Sequence, residues 1–237
     1  MHNEAIEYQA NGVNLKGHIA YDPNQSGKRP AVLVVHDWSG CSEFAQQAAQ
    51  RIAQLGYIGF AVDMYGEGKI VSSIDEKMEL MQPLLDDRPQ LLSRMQAALQ
   101  TITGFEQTDT NKIASMGFCF GGLCSLDLAR SGADIIGAVS FHGALTPPPA
   151  DNAEIKAKIL VLHGYDDPMI HPTQVTAFID EMKQAKTDWQ VHNYGNTQHA
   201  FTNPQANMPD MGIIYNPLSA QRSWQSMENF FTEIFAE

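Results

Sequence analysis

The segment Gly117–Gly122 reads Gly-Phe-Cys-Phe-Gly-Gly and places Cys119 between glycines two residues away on each side. The apolar run Lys112–Gly117 predicts a strand before the cysteine, and Gly121–Ser131 predicts a helix after it. This spacing is typical of a nucleophile on a sharp strand-to-helix turn, with cysteine in the place of serine. Glycines fit there because larger side chains would collide in the turn. We therefore predict that Cys119 is a nucleophile, whose thiolate the positive helix N-terminus would favour.

A nucleophilic cysteine needs a base, and the base needs an acid that orients it. In one recurring chain order of such triads the acid follows the nucleophile and the histidine comes last. His199 follows the final predicted strand, Trp189–Tyr194, and is the predicted base. Asp166 and Asp167 both follow the predicted strand Ile159–His163, so the pattern alone leaves two candidates for the acid.

Backbone N–H groups are the usual donors to the oxyanion of an acyl-transfer reaction. One donor is predicted at Phe120, directly after Cys119, and the other at Trp38 in the loop His36–Gly40. His142 follows another predicted strand but comes too early in the chain to be the base. We expect His142 to line the pocket or to support the site as a further donor.

Short apolar runs alternate with helical patterns along the chain. Such alternation predicts an α/β fold with three α/β/α layers, in which helices cover both faces of a mostly parallel central sheet. Residues Ile6–Tyr21 predict an N-terminal hairpin that turns at Asn11-Gly12. Because no repeat or long linker divides the sequence, we expect one domain over residues 1–237. Ligands of such sheets bind at the carboxyl ends of the strands, where the residues above are placed.

A long helical region is predicted over Asp75–Thr103, with interruptions at Pro83 and Pro89. Its first part, Asp75–Arg94, is expected to overhang the site and to influence specificity.

The formal net charge of −12 disfavours nucleic acid and anionic membranes as partners, since both require clustered Lys and Arg. No basic and apolar leader opens the sequence, and no apolar run is long enough to span a bilayer. Three cysteines, an odd number, do not indicate a disulfide framework, so a reducing cytoplasm is expected. No pair of His or Cys has convincing metal-ligand spacing, and we expect neither a metal nor a cofactor.

Six segments occur in an order that resembles the dienelactone hydrolase family of α/β-hydrolases: VVHDWSG, DMYG, GFCFGG, SFHG, LHGYDDP and HAFTNP. The resemblance covers nearly the whole chain. It implies an α/β-hydrolase fold and hydrolysis of a small-molecule ester or lactone through an acyl-enzyme. It also implies a triad of Cys119, His199 and Asp167, because the family's acid stands immediately before Pro168.

Two further positions follow from the resemblance. Asp37 stands where well-known members have a glutamate that activates the thiol, so the same role or a loop-stabilising role is expected for it. Family members that cleave dienelactones hold the substrate carboxylate with arginines, one of them four residues after the histidine, where this chain has Asn203. Arg88 is the candidate for another such contact. The departure at Asn203 favours a less carboxylate-dependent ester as the substrate.

Other activities stay open on the sequence alone. An activated thiolate beside an anion-stabilising site predicts promiscuity towards other activated esters, including phosphate triesters. An alternative function is thiol redox chemistry or sensing by Cys119 together with Cys124. A homodimer is a candidate assembly because C2 dimers are the commonest oligomers, and the sequence leaves the oligomeric state open.

Overall fold

The central element is an eight-stranded sheet in a computed structural model that describes residues 1–149 and 153–236. Its strands are β1 His2–Ala10, β2 Val13–Tyr21, β3 Arg29–Val35, β4 Ile58–Val62, β5 Thr108–Phe118, β6 Gly137–Phe141, β7 Lys158–Gly164 and β8 Trp189–Tyr194. They lie in the order β1-β2-β4-β3-β5-β6-β7-β8. Strands β3 to β8 are parallel to one another. Strands β1 and β2 form an antiparallel hairpin, and β2 pairs antiparallel with β4. The predicted mostly parallel sheet is confirmed.

Helices cover both faces of this sheet. They are α1 Glu43–Gln54, α2 Ile74–Asp86, α3 Arg88–Thr103, α4 Phe120–Arg130, α5 Pro172–Ala185 and α6 Pro217–Ala236. One apolar layer contains buried residues of α1 and α6, such as Ile52 and Phe231. The other contains buried residues of α3, α4 and α5, such as Met95, Leu126 and Phe178. Because alternate residues of each parallel strand enter opposite layers, the central strands β4 and β6 are buried at every position. Within the described residues, no helix is long and apolar enough to cross a membrane.

The helical region after β4 differs from its prediction at one proline. Pro89 lies in the first turn of α3, where a missing N–H removes no helical hydrogen bond. The helical conformation is interrupted at Asp87, between α2 and α3. The side chain of Asp87 accepts a 3.0 Å hydrogen bond from the N–H of Gln90 and caps α3. Pro83 lies inside α2, so the predicted interruption there is wrong. The helix ends only after Asp86, within a turn of that proline.

Candidate active site

Cys119 stands on the turn between β5 and α4. Its φ of 54° is in the left-handed region that side chains seldom adopt, and its N–H donates to the carbonyl of Phe141 at 3.0 Å. A Cβ at Gly117 would collide with the carbonyl of Gly121, and one at Gly121 would collide with the carbonyl of Val35. The two glycines are therefore what allow the strand, the turn and the helix to approach so closely.

The side chains of Cys119, His199 and Asp167 form one hydrogen-bonded chain. His199 Nε2 is 3.1 Å from Cys119 Sγ, and His199 Nδ1 is 2.7 Å from Asp167 Oδ2. The other oxygen, Asp167 Oδ1, accepts from the N–H of Met169 at 2.8 Å. Both His199 and Asp167 are buried, while Cys119 is partly exposed. When a thiol, an imidazole and a carboxylate are hydrogen-bonded in this order, a proton can move from the sulfur to the imidazole nitrogen.

His199 is fixed by a small two-stranded sheet that the sequence did not reveal. Its strands are β9 Asn207–Met208 and β10 Ile213–Ile214, joined through a 3-10 turn, Pro209–Met211. The N–H of His199 donates to the carbonyl of Gly212 at 2.9 Å, and the carbonyl of His199 accepts from the N–H of Ile214 at 3.1 Å. The backbone of the histidine is thus held on both sides while its ring reaches Cys119.

The electrostatics of the site favour a charged imidazole. Burial lowers the pKa of His199, but the nearby Cys119 thiolate and the hydrogen bonds to Asp167 and Cys119 outweigh burial and raise it to about 10. Two of the effects that raise the pKa of His199 come from Cys119: its charge and its hydrogen bond to the imidazole. The protonation of the histidine therefore depends on whether the sulfur is free and charged.

Asp167 and Asp166 have different surroundings. Asp167 is 3% exposed and bonds to His199, whereas Asp166 is exposed and its N–H donates to the carbonyl of Thr197. Of the two candidates for the acid, the structure brings only Asp167 to the histidine.

His142 lies behind His199 rather than in the cavity. The two rings meet edge to face with centroids 5.3 Å apart. His142 is buried, and its Nε2 is 2.7 Å from Thr202 Oγ1. Burial and then the charge of His199 lower the pKa of His142 well below its ordinary value. The position fits a neutral support for the base.

A cavity of about 170 Å³ opens at Cys119 and His199. Asp37 and Trp38 line one side of it. Asp37 is 7% exposed, and its Oδ1 accepts from the N–H of Ser39 at 2.8 Å. This hydrogen bond favours the expected loop-stabilising role, while the position of Asp37 in the cavity lining keeps the expected activating role as a prediction.

Phe120 begins α4 directly after Cys119. The first N–H groups of a helix have no intrahelical acceptor, so this N–H is free for a ligand at the sulfur. The side chain of Phe120 packs against the rings of His36 and Tyr65. His36 is itself fixed, because its Nε2 accepts from the N–H of Met64 at 3.1 Å.

The structure does not bring Arg88 to this cavity. Its Nε donates to Asp127 Oδ2 at 2.6 Å, and its guanidinium also donates to the carbonyl of Thr146. Arg88 lines a different cavity beside Pro89 and Pro148. The expected contact of Arg88 with a substrate at Cys119 is therefore corrected to a structural ion pair with Asp127.

Cys124 is a poor partner for redox chemistry. All three cysteines are free, and Cys124 is fully buried within α4. Burial raises the pKa of its thiol well above the ordinary value, with Asp127 adding to the effect. A buried protonated thiol is unreactive. The geometry gives no support to the alternative of a redox pair with Cys119.

Four methionines also line the cavity, together with Ala200 and Ile213: Met78, Met81, Met169 and Met211. None of these methionines was predicted from the sequence to belong to the site. The spacing of Met78 and Met81 on α2 was an available signal, because residues three apart share a helix face. Their position places α2, the first part of the region predicted to overhang the site, at the cavity, whereas Arg88 lies at a different one.

Comparison with known proteins gives a consistent result. The model of the dienelactone hydrolase family matches residues 16–235. The solved dienelactone hydrolase-like promiscuous phosphotriesterase P91, from metagenomic libraries, is 36% identical with a TM-score of 0.95, covering 99% of this chain and 98% of that one. Protein usf of Aquifex pyrophilus is 28% identical over 235 residues, 97% of this chain and 98% of the relative. A relative from Bradyrhizobium sp., named "Probable 2-oxo-3-(5-oxofuran-2-ylidene)propanoate lactonase", is 27% identical and covers 94% and 92%.

The family match spans most of the chain, and the segments that carried the resemblance all fall within it. The fold of this chain agrees with that of the solved neighbour over nearly the whole length of both. The chain therefore belongs to the dienelactone hydrolase family and is a dienelactone hydrolase-like hydrolase with the α/β-hydrolase fold.

Proposed function

We propose that this protein hydrolyses carboxylic esters or lactones through an acyl-enzyme on Cys119. The observation that carries the proposal is the hydrogen-bonded chain of Cys119, His199 and Asp167 at the mouth of a cavity. The lactonase name of the Bradyrhizobium relative supports the same class of substrate.

Acylation begins with the pair of thiolate and imidazolium. Cys119 Sγ attacks the carbonyl carbon, and the electron pair of the carbonyl moves to its oxygen. When the carbonyl re-forms, the bond to the leaving oxygen breaks and His199 gives that oxygen its Nε2 proton. In a lactone the leaving alcohol stays attached to the acyl group. The product of this step is a thioester on Cys119 and a neutral histidine.

Deacylation uses the change in the charge of the site. Once the sulfur is esterified, it no longer carries the negative charge that raises the pKa of His199. The imidazole then has a lower pKa and accepts a proton from water, while Asp167 holds its Nδ1–H. Water attacks the thioester, the carbon–sulfur bond breaks and the acid leaves. The resting ion pair is restored.

The oxyanion needs donors that do not move during the reaction. The N–H of Phe120 is the first donor, because it adjoins the sulfur at the N-terminus of α4. Trp38 lines the same cavity, and its backbone N–H is proposed as the second donor. Each such donor contributes a factor of about 10²–10³ in kcat in comparable enzymes.

Phosphate triesters are a second proposed substrate class. The solved neighbour at 36% identity is named a promiscuous phosphotriesterase. In this reaction Sγ attacks phosphorus, the aryloxide leaves, and water must then break the phosphorus–sulfur bond. The same N–H donors would stabilise the phosphoryl oxygen. A slow second step would show as a rapid release of 4-nitrophenol from paraoxon, about equimolar with the enzyme, followed by slower turnover.

The test is hydrolysis of p-nitrophenyl acetate by the wild type, Cys119→Ala and Cys124→Ala. We expect activity to be lost in Cys119→Ala and kept in Cys124→Ala. Mass spectrometry of the acid-quenched wild type should show an acetyl group on the peptide that contains Cys119. Undiminished turnover by Cys119→Ala would overturn the proposal. Activity that follows the oxidation state and needs Cys124 would support the redox alternative instead.

A further inference from the structure

Methionine is the commonest residue type in the lining of the active-site cavity. Four of the 11 methionines in the chain, Met78, Met81, Met169 and Met211, line a space of only about 170 Å³. They come from three separate segments: α2, the loop after β7 and the 3-10 turn before β10. Convergence of methionines from distant parts of the sequence on one small space indicates a property of the site rather than of one helix.

Among the described residues, no lysine or arginine lines this cavity. Besides Cys119 and His199, its only ionisable lining residue is the acid Asp37. Lys77 lies nearby, but its ammonium sits over the ring of Trp38, 4.8 Å from the centroid. Arg88 is held by Asp127 at a different cavity. A carboxylate on the substrate would therefore enter without a matched charge and beside a negative one.

The methionine side chains are free to adjust to a ligand. Met78, Met169 and Met211 are 39%, 40% and 37% exposed, unlike methionines packed in the core. A methionine is unbranched and has three rotatable bonds, which suits surfaces that accept several ligand shapes. The wall is apolar but not rigid.

Resting on the proposed hydrolysis at Cys119, we propose that Met78, Met81, Met169 and Met211 are the specificity-determining residues of this site. They select uncharged esters and lactones with an apolar acyl group, and they exclude substrates whose acyl group carries a carboxylate. Within the uncharged class they tolerate different shapes, because the wall changes its conformation at little cost.

A matched pair of substrates tests the exclusion. The mono-4-nitrophenyl esters of adipic acid and of its monomethyl ester have the same acyl backbone and differ in one charge at neutral pH. We expect wild-type kcat/KM to be at least about tenfold higher for the methyl ester, a difference of the size expected for one unpaired charge near a protein surface. Equal values, or a preference for the anionic ester that Lys77→Met abolishes, would overturn the proposal.

A charge introduced into the wall tests the assignment of the residues. Met78→Arg should raise kcat/KM for the anionic ester relative to the neutral one by about tenfold, since it places a cation at the cavity. Glu79→Gln is the matched control, because it makes the same change in net charge on α2 from an exposed position outside the lining. A ratio that shifts equally in both variants would show a long-range charge effect and would overturn the assignment.

A second variant guards against misfolding of the first. Met169→Ala enlarges the cavity without adding charge, and we expect KM for the 4-nitrophenyl esters of acetate, butyrate and hexanoate to change in different proportions. Unchanged relative KM values in a folded Met169→Ala variant would also contradict the proposal. Failure of the proposed hydrolysis is distinguishable, since it would appear as turnover of every ester by Cys119→Ala.

Discussion

The Nε2 atom of His199 lies 3.1 Å from the Sγ atom of Cys119, so the thiol and the imidazole are in direct contact. A proton can pass between them without any movement of the backbone. This contact is also a main reason that the pKa of His199 is raised to about 10 in spite of burial. The charge of the histidine and the charge of the sulfur are therefore coupled.

The coupling predicts a large change in the titration of His199 when the sulfur is removed. In Cys119→Ala, burial still lowers the pKa of His199 and Asp167 still raises it, but both contributions of Cys119 are lost. The pKa should then fall well below 10, and the ring should lose its proton nearer to neutral pH. NMR titration of the His199 Cε1–H resonance from pH 5 to 11 measures this directly. An unchanged midpoint in Cys119→Ala would show that the ion pair does not form.

Two adjacent aspartates provide a matched pair of variants. Asp167→Asn removes the carboxylate that orients His199, so kcat for p-nitrophenyl acetate should fall by about 10³–10⁴. Asp166→Asn changes an exposed neighbour and should leave kcat within about threefold. A larger loss in Asp166→Asn than in Asp167→Asn would contradict the assignment of the acid.

Glycines provide a similar test of the turn. Gly121→Ala forces a Cβ into the carbonyl of Val35 and should reduce the free energy of unfolding by about 1–3 kcal/mol or more. Gly195→Ala is the control, because its Cβ would meet nothing within 4 Å and its φ is not in the positive range. Urea denaturation of the two variants gives the comparison. Equal stability would mean that the turn at Cys119 relaxes more easily than its contacts suggest.

Arg88 should matter for stability and not for the chemistry. Arg88→Met leaves Asp127 with only the more distant Arg130, so the free energy of unfolding should fall by about 1–3 kcal/mol. Relative kcat/KM for the anionic adipate ester and its methyl ester should not change. Arg222→Met, at an exposed position, serves as the control for loss of a surface charge and should alter stability by less than about 0.5 kcal/mol. A selective loss of the anionic ester in Arg88→Met would restore Arg88 to the substrate site.

Local patterns were sufficient for the parts of the site that depend on neighbours in sequence. The glycines around Cys119 and the strand end before Asp167 have strict local requirements, and the structure places both where the spacing indicates. Arg88 could not be placed in the same way, because its partner Asp127 is 39 residues away and lies on another helix. Proline usually interrupts a helix, which is why an interruption was predicted at Pro83. In the structure α2 continues past Pro83 and ends at Asp86.

The sequence was least informative where short segments act only through tertiary contacts. β9 and β10 have two residues each, too few for any periodicity, yet they hold His199. The methionine wall has the same origin, since Met169 and Met211 meet only after the chain has folded.

One carboxylate connects the wall of the cavity with the base. Asp167 uses Oδ2 for the ring of His199 and Oδ1 for the backbone N–H of Met169, a residue of the wall. A bulky ligand that pushes the backbone at Met169 outward must lengthen or turn the same group that aligns the imidazole. The fit of the acyl group and the reactivity of the site are then linked mechanically, because an oversized acyl group would misalign His199 even if it still reached the sulfur. Mutations that enlarge the wall should disturb the base least at Met78, which lies on α2 rather than in the loop that bonds to Asp167.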